Sequence, residues 1–372
     1  MAELLRQYGP AALAWALVLT RRRHEDGARR SVRWVLLGFA VSLTVLTPAV
    51  YAAGAAVGVP DLARLVGHAA MLVVVWAGVE FTARMNGMSR GPRWHARWVV
   101  GWFAVMCAMF ALAPDLRPQS PWILEYCVVY LVAQGPGLVR IARQCARYAG
   151  LTAEPVLRLG LRLIAAGALG SLLYLVHKVL RTAISRFDIA YPLSHAVVTN
   201  KVLPTASTVL VLLGAGIPAA AGWARRYRLH RRLGPLWTAL YRAEPSIALE
   251  PPALPDLLVV RRLRPRLYRR VIEIRDGLLA LQPYRTREVA EAAREHARLT
   301  GLTGERSEVA VEAMTVAIAL RSRAAGDPPG TPEVPISGGG NLDSDTAFLS
   351  EVSAAFRAYE GAVSRSAPGP RV

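Results

Sequence analysis

The feature that most limits what this chain can fold into is a series of seven apolar runs, at residues 4–20, 34–58, 65–83, 98–113, 122–141, 159–180 and 202–223, most of them closed by arginine. A helix of about 20 mostly apolar residues crosses the hydrocarbon of a bilayer, and inside it every backbone N–H and C=O must find a partner within the protein. Runs of this length and spacing therefore predict an all-α, polytopic membrane bundle. The first run is followed at once by Arg21, Arg22 and Arg23. A cleavable leader carries its charge before the apolar stretch, so this segment is expected to stay in place.

Charge divides the chain in two. Residues 1–232 hold 27 Arg and Lys against 9 Asp and Glu, whereas residues 233–372 hold 18 against 17. Nearly all of the net charge of +19 thus belongs to the apolar part. There it marks loops rather than a nucleic-acid surface, and no nucleic-acid partner is expected. Basic loops are retained in the cytoplasm. The loops after runs one, three, five and seven, with their flanks, carry 20 basic residues, and the opposite side carries 7. The expected topology is seven spans in the cell membrane, N-terminus outside and C-terminus inside, with a membrane domain at 1–232 and a cytoplasmic domain at 233–372. The sixth run holds Arg162 near one end and His177-Lys178 near the other. It is kept as a span because six spans would send the C-terminal domain outside, against the five arginines that follow Trp223. Only Lys178 and Lys201 are lysines, the balance a GC-rich coding bias produces. Cys107, Cys127 and Cys145 form no CxxC and indicate neither a disulfide framework nor a zinc site.

Ionisable or strongly polar groups inside a span are costly, so each is a candidate for transport or binding. Glu80 lies near the cytoplasmic end of run three and Glu125 near the outer end of run five, where either is also able to snorkel to an interface. His68, one turn into run three, suits an interhelical hydrogen bond better than a metal. Gln134-Gly135-Pro136-Gly137 interrupts run five. Proline removes a backbone donor and glycine weakens the helix, so carbonyls freed there face either a ligand or a neighbouring helix that satisfies the kink. Pro48, Pro204 and Pro218 raise the same alternatives. Ala166 with Gly170, and Gly167 with Ser171, have the small-residue spacing of close helix packing. Runs one to three and five to seven share no residues beyond general apolarity, so no internal repeat is read.

The C-terminal domain shows helical periods. Leu267, Val271, Ile274, Leu278 and Leu281 form one apolar stripe, with Pro265 in the first turn and Pro283 at the end. Arg269 and Arg270 precede Glu273 at a spacing that allows surface ion pairs. Further helices are expected at about 286–299 and 307–325, followed by a Pro/Gly-rich linker at 326–342. A last helix starts near Asp343 or Asp345 and carries Phe348, Leu349, Val352, Ala355, Phe356 and Tyr359 on one side. A short strand at 257–260 is also expected. The apolar stripes predict a small helical bundle, with a partner-binding groove as the alternative. The sequence holds no GxxxxGK[ST], HExxH or GxSxG pattern. Neither an enzyme nor a cofactor or metal is expected.

The segments Leu236-Trp237-Thr238-Ala239-Leu240, 267–281 closed by Pro283-Tyr284, and Leu342-Asp343 through Phe348-Leu349 to Ala355-Phe356 resemble those of a family of actinobacterial integral-membrane proteins. That family is labelled transporters from hydropathy and carries a C-terminal cytoplasmic domain of unknown function. The likeness covers most of residues 233–360, and the membrane half matches in layout only. It implies the architecture and a family motif at Tyr268, Arg269, Arg270, Glu273, Arg275, Asp276 and Tyr284, but no substrate and no active site. The expected function is transport of an unnamed substrate with a cytoplasmic regulatory or interaction domain. The alternative is a seven-helix sensor or scaffold that relays a signal to a cytoplasmic protein bound through residues 233–372.

Overall fold

The structure is a computed structural model that describes residues 2–19, 27–56, 58, 61–88, 91–112, 120–187, 202–249, 263–331 and 341–366. Among them every regular element is a helix: α1 (Ala2–Leu19), α2 (Gly27–Val45), α3 (Pro48–Ala56), α4 (Leu62–Met85), α5 (Arg93–Leu112), α6 (Ile123–Leu151), α7 (Pro155–Arg186), α8 (Leu203–Arg232), α9 (Gly234–Ala243), α10 (Leu263–Ala280), α11 (Arg287–Leu299), α12 (Glu305–Ala325) and α13 (Leu342–Ser366), with two short 3₁₀ turns. The strand expected at 257–260 lies outside the described residues, as do most of the loop at 188–201 and the centre of the Pro/Gly linker. The chain forms two compact units, Met1–Ala219 and Ala220–Val372, and the division falls inside α8.

Among the described residues four helical stretches are long and apolar enough to cross a membrane: α4, α5 and α7 of the first unit, and Leu203–Ala243, which begins in it. A fifth is added if Arg30–Val45 and Pro48–Gly54, bent by 63° at their break, form one span. The run at 159–180, with its charged ends, lies within α7 and is among the four. The run at 122–141 lies within α6, which falls short because it carries Glu125, Gln134, Arg140, Arg143 and Gln144. Its place in the fold accommodates that polarity. α6 packs against α4, α5 and α7, and Tyr126, Tyr130, Gln134, Leu138, Ala142 and Cys145 are all buried. The helix poorest in lipid-compatible surface is the one shielded by three neighbours.

Small residues set the approach of α8 to α7. A Cβ on Gly160 would stand 2.6 Å from the Gly214 carbonyl oxygen, and one on Gly167 would stand 2.8 Å from the Ser207 carbonyl oxygen. Without lipid-excluding hydrophobic force between apolar helices, backbone proximity of this kind is a main source of packing energy. Pro48 and Pro204 sit in the first turns of α3 and α8, where a missing N–H costs nothing.

The second unit is a bundle around one apolar core. The α10 stripe Leu267, Val271, Ile274, Leu278 and Leu281 is buried against Leu236, Trp237 and Leu240 of α9, Val316 of α12, and Leu349, Val352 and Phe356 of α13. Thr286 caps α11 by accepting from the Val289 N–H, and Gly326 ends α12 in the left-handed conformation at φ +77°. Polar ties join elements distant in sequence. Arg275 meets Asp345 at 2.8 Å, linking α10 to α13, and Arg323 of α12 meets Glu244 at 2.6 Å. Hydrogen bonds from Ser246 and Arg323 hold the Glu244 carboxyl below the usual carboxylate range.

The deepest polar contact of the bundle is Arg285 with Glu312, both buried, joined by two parallel bonds of 2.8 and 2.9 Å. Two desolvated charges hold each other only while both are present. Arg285→Ala or Glu312→Ala is therefore expected to lower stability by about 3–5 kcal/mol, whereas the volume-conserving pair Arg285→Met with Glu312→Leu restores most of it. Thermal scans of the four proteins in detergent check this.

Candidate functional site

Inside the first unit α2, α4, α6, α7 and α8 surround a cavity of about 210 Å³. Val74, Val75, Phe81, Leu138, Ile141, Leu161 and Val211 give it an apolar wall. Among the described residues its lining holds no Asp, Glu, Lys, Arg or His. The polar side chains in the wall are Gln134, Thr82, Ser171 and the Cys145 thiol. Thr82 donates to the Val79 carbonyl at 3.0 Å and is satisfied within its own helix. Gln134 differs: it is 3% exposed, and its Nε2 has no hydrogen-bond partner.

The Gln134 to Gly137 segment is helical throughout, so α6 does not break at Pro136. Proline at 136 leaves the Val132 carbonyl without its usual donor, and the Trp98 indole N–H of α5 donates to that oxygen at 3.0 Å. The neighbouring helix, not a ligand, satisfies the freed group. The two glycines beside Pro136 play different parts. A Cβ on Gly137 would stand 2.4 Å from Val75 Cγ1 and 2.9 Å from His95 Cε1, so α4 and α5 pack this closely only against glycine. At Gly135 the same atom would make an ordinary 3.9 Å contact with Leu172. His95, which the sequence did not single out, is buried here with its Nε2 unpartnered and its ring edge-on to Trp94.

The ionisable candidates lie away from the cavity wall, each in a local bond. Glu80 accepts from the Gly91 backbone N–H at 2.9 Å and from Arg84 at 3.4 Å, which clamps the turn between α4 and α5. Gly91 is needed for that clamp, because a Cβ would stand 2.6 Å from the Glu80 Oε1. Glu125 faces Arg186 at 3.9 Å, both side chains about two-fifths exposed. His68 Nδ1 shares a hydrogen bond of 2.9 Å with the Tyr126 hydroxyl, and its ring lies 4.3 Å from that of Tyr130. A second polar group, Asn86 with Gln144 and the Tyr148 hydroxyl, ties the end of α4 to α6.

In the second unit the family-motif residues serve the bundle. Glu273 is buried, contrary to the surface position its spacing suggests, because the Trp237 indole N–H donates to it at 2.7 Å while Arg269 pairs with it at 2.8 Å. Arg270 turns the other way. Its guanidinium lies over the Trp237 ring at 4.7 Å and donates to the His230 carbonyl at 3.1 Å. Arg275 holds Asp345, Tyr284 packs beside the core, and Tyr268 and Asp276 face solvent. Groups of three or more His, Cys, Asp or Glu placed to hold a metal are absent among the described residues.

If Trp98 satisfies the carbonyl freed by Pro136, the two residues are energetically coupled. Trp98→Phe is expected to lose about 0.6 kcal/mol, and at most about 1.7, as interhelical hydrogen bonds in bilayers do. In a Pro136→Ala background, where the backbone N–H returns to Val132, the hydrogen-bond part of that loss is expected to vanish. A double-mutant cycle on thermal midpoints in detergent measures the coupling.

Comparison with known proteins adds one finding. Residues 222–358 match a family of unknown function (DUF6545), which covers the second unit from the end of α8 through most of α13. The match carries no activity, and it does not extend to the residues that line the cavity. No curated protein and no solved structure matches the chain.

Proposed function

We propose that this protein is a membrane sensor: its apolar helices receive a small uncharged molecule, and its C-terminal bundle passes the event to a cytoplasmic protein. One observation carries the reading. α8 places Val211, Gly214, Ala215 and Pro218 in the cavity wall, and its last turn is stitched into the C-terminal bundle. There the His230 carbonyl accepts from Arg270 and the Arg232 carbonyl accepts from Ser353 at 2.7 Å. A single helix whose two ends answer to two different packings is a natural coupler, provided that occupancy shifts one of them. Glu80, Glu125 and His68 are engaged in bonds away from the cavity, and among the described residues its wall holds no Asp, Glu, Lys, Arg or His to couple an ion to movement.

In this reading the chain crosses the membrane seven times. α1, the α2–α3 pair and α6 complete the spans, the N-terminus lies outside, and the five arginines after Trp223 keep the C-terminal bundle in the cytoplasm. Transport is the second reading. It is supported by the position of the cavity among five helices of the first unit, since ligand sites commonly form between the helices of a bundle. Its substrate would be the same uncharged molecule.

The two readings differ in what α8 must do. In full-length protein in lipid nanodiscs, filling the cavity with Ala168→Phe is expected to change amide exchange across residues 263–281 by severalfold. Inserting Gly-Gly-Ser after Trp223 is expected to abolish that response while both units stay folded. Exchange in the bundle that ignores Ala168→Phe contradicts the relay and leaves transport as the stronger reading.

A further inference from the structure

We propose that the cavity of the first unit binds a neutral, mostly apolar molecule that carries one hydrogen-bond acceptor, and that the Gln134 Nε2 amide recognises this acceptor. The inference deepens the sensor reading by naming the ligand class, and it does not depend on whether the signal is relayed.

Three properties of the site define the class. The first is the orphan donor. A buried N–H left unpaired loses its hydration without compensation, so an amide held at 3% exposure in an apolar wall is a standing demand for an acceptor. Water is a poor answer, because a buried water needs two to four polar partners and this wall is almost wholly apolar. The second is the absence of charge. Among the described residues no Asp, Glu, Lys, Arg or His lines the space, and an ion brought there would lose its hydration with no counter-charge. The third is size. The cavity, about 210 Å³, exceeds the roughly 150 Å³ apolar cavity that suffices for benzene, so it takes a ring with a short chain or one end of a longer amphiphile. A ketone, ester or ether on a short hydrocarbon body meets all three.

Such a group reaches an intramembrane cavity from two sources, an ester of a bilayer lipid or a free small molecule dissolved in the membrane, and the test separates them. Full-length protein in nanodiscs is labelled with a ten-carbon methyl ketone bearing a terminal diazirine, then competed with 2-decanone or with decane. The expected result is crosslinking to peptides of α2, α4, α6, α7 or α8. 2-Decanone should displace the probe about threefold to tenfold better than decane, the factor one hydrogen bond supplies. Gln134→Leu, which removes the amide and keeps a side chain of similar size, should erase that preference while the apolar competition remains, and Ala168→Phe should lower labelling of both kinds. Weaker labelling in ester-linked than in ether-linked phospholipid nanodiscs identifies the lipid as the natural source; equal labelling identifies a free molecule. Equal displacement by 2-decanone and decane in the wild type, a ketone preference that survives Gln134→Leu, or crosslinks confined to other helices would overturn the proposal.

Discussion

The first unit is organised by one constraint: in an apolar surrounding, each backbone carbonyl needs a donor. Two prolines put this constraint under strain. Pro136 frees the Val132 carbonyl, and α5 answers with the Trp98 indole N–H. Pro218 removes the usual donor of the Gly214 carbonyl, and Gly160 of α7 lies so close to that oxygen that a Cβ there would stand 2.6 Å from it. Both carbonyls face another helix. The prolines therefore fasten helix pairs together, and they leave α6 and α8 continuous through the region where the cavity forms.

Polarity in this unit follows from the same requirement. α6 is too polar to face lipid along its length, so it occupies the centre and its neighbours absorb its needs: Tyr126 meets His68, and Gln144 meets Asn86. Glu80 is spent on a turn and Glu125 on Arg186. In the cavity wall the Gln134 amide keeps a free donor facing an uncharged space. Function is read from that free donor, since polar groups already satisfied by their own fold have less to offer a ligand.

The C-terminal unit combines an ordinary apolar core with buried charge. Arg285 with Glu312, and Trp237 with Glu273 and Arg270, place polar contacts at the joints between helices. Buried pairs of this kind add little net stability but penalise wrong registers, because any misplacement leaves a charge stranded. The motif at 268–276, matched by a family of unknown function, is thus largely a packing motif, with Tyr268 and Asp276 as its outward-facing members.

Local signals were legible before the structure. The α10 stripe, the helices at 286–299 and 307–325 and the apolar runs each depend on residues a few positions apart. What escaped the sequence is non-local. The donor for Val132 lies 34 residues away at Trp98, and the partner of Arg285 lies 27 residues on, in a helix whose Glu312 looks no different from an exposed glutamate. The Glu273 spacing to Arg269 and Arg270 suggested a surface pair until Trp237, 36 residues earlier, covered it. Gln134 itself stood out, though through an expected helix break; its lone amide and the apolar cavity appear only once five helices are assembled. The central claim is that α6 stays an intact helix and presents a side chain, not freed backbone, to the cavity. Hydrogen–deuterium exchange of the full chain in nanodiscs tests it most directly. Slow exchange at the amides of Gly135 and of residues 137–141 is the predicted result; fast exchange confined to those amides would show a broken helix and contradict the account.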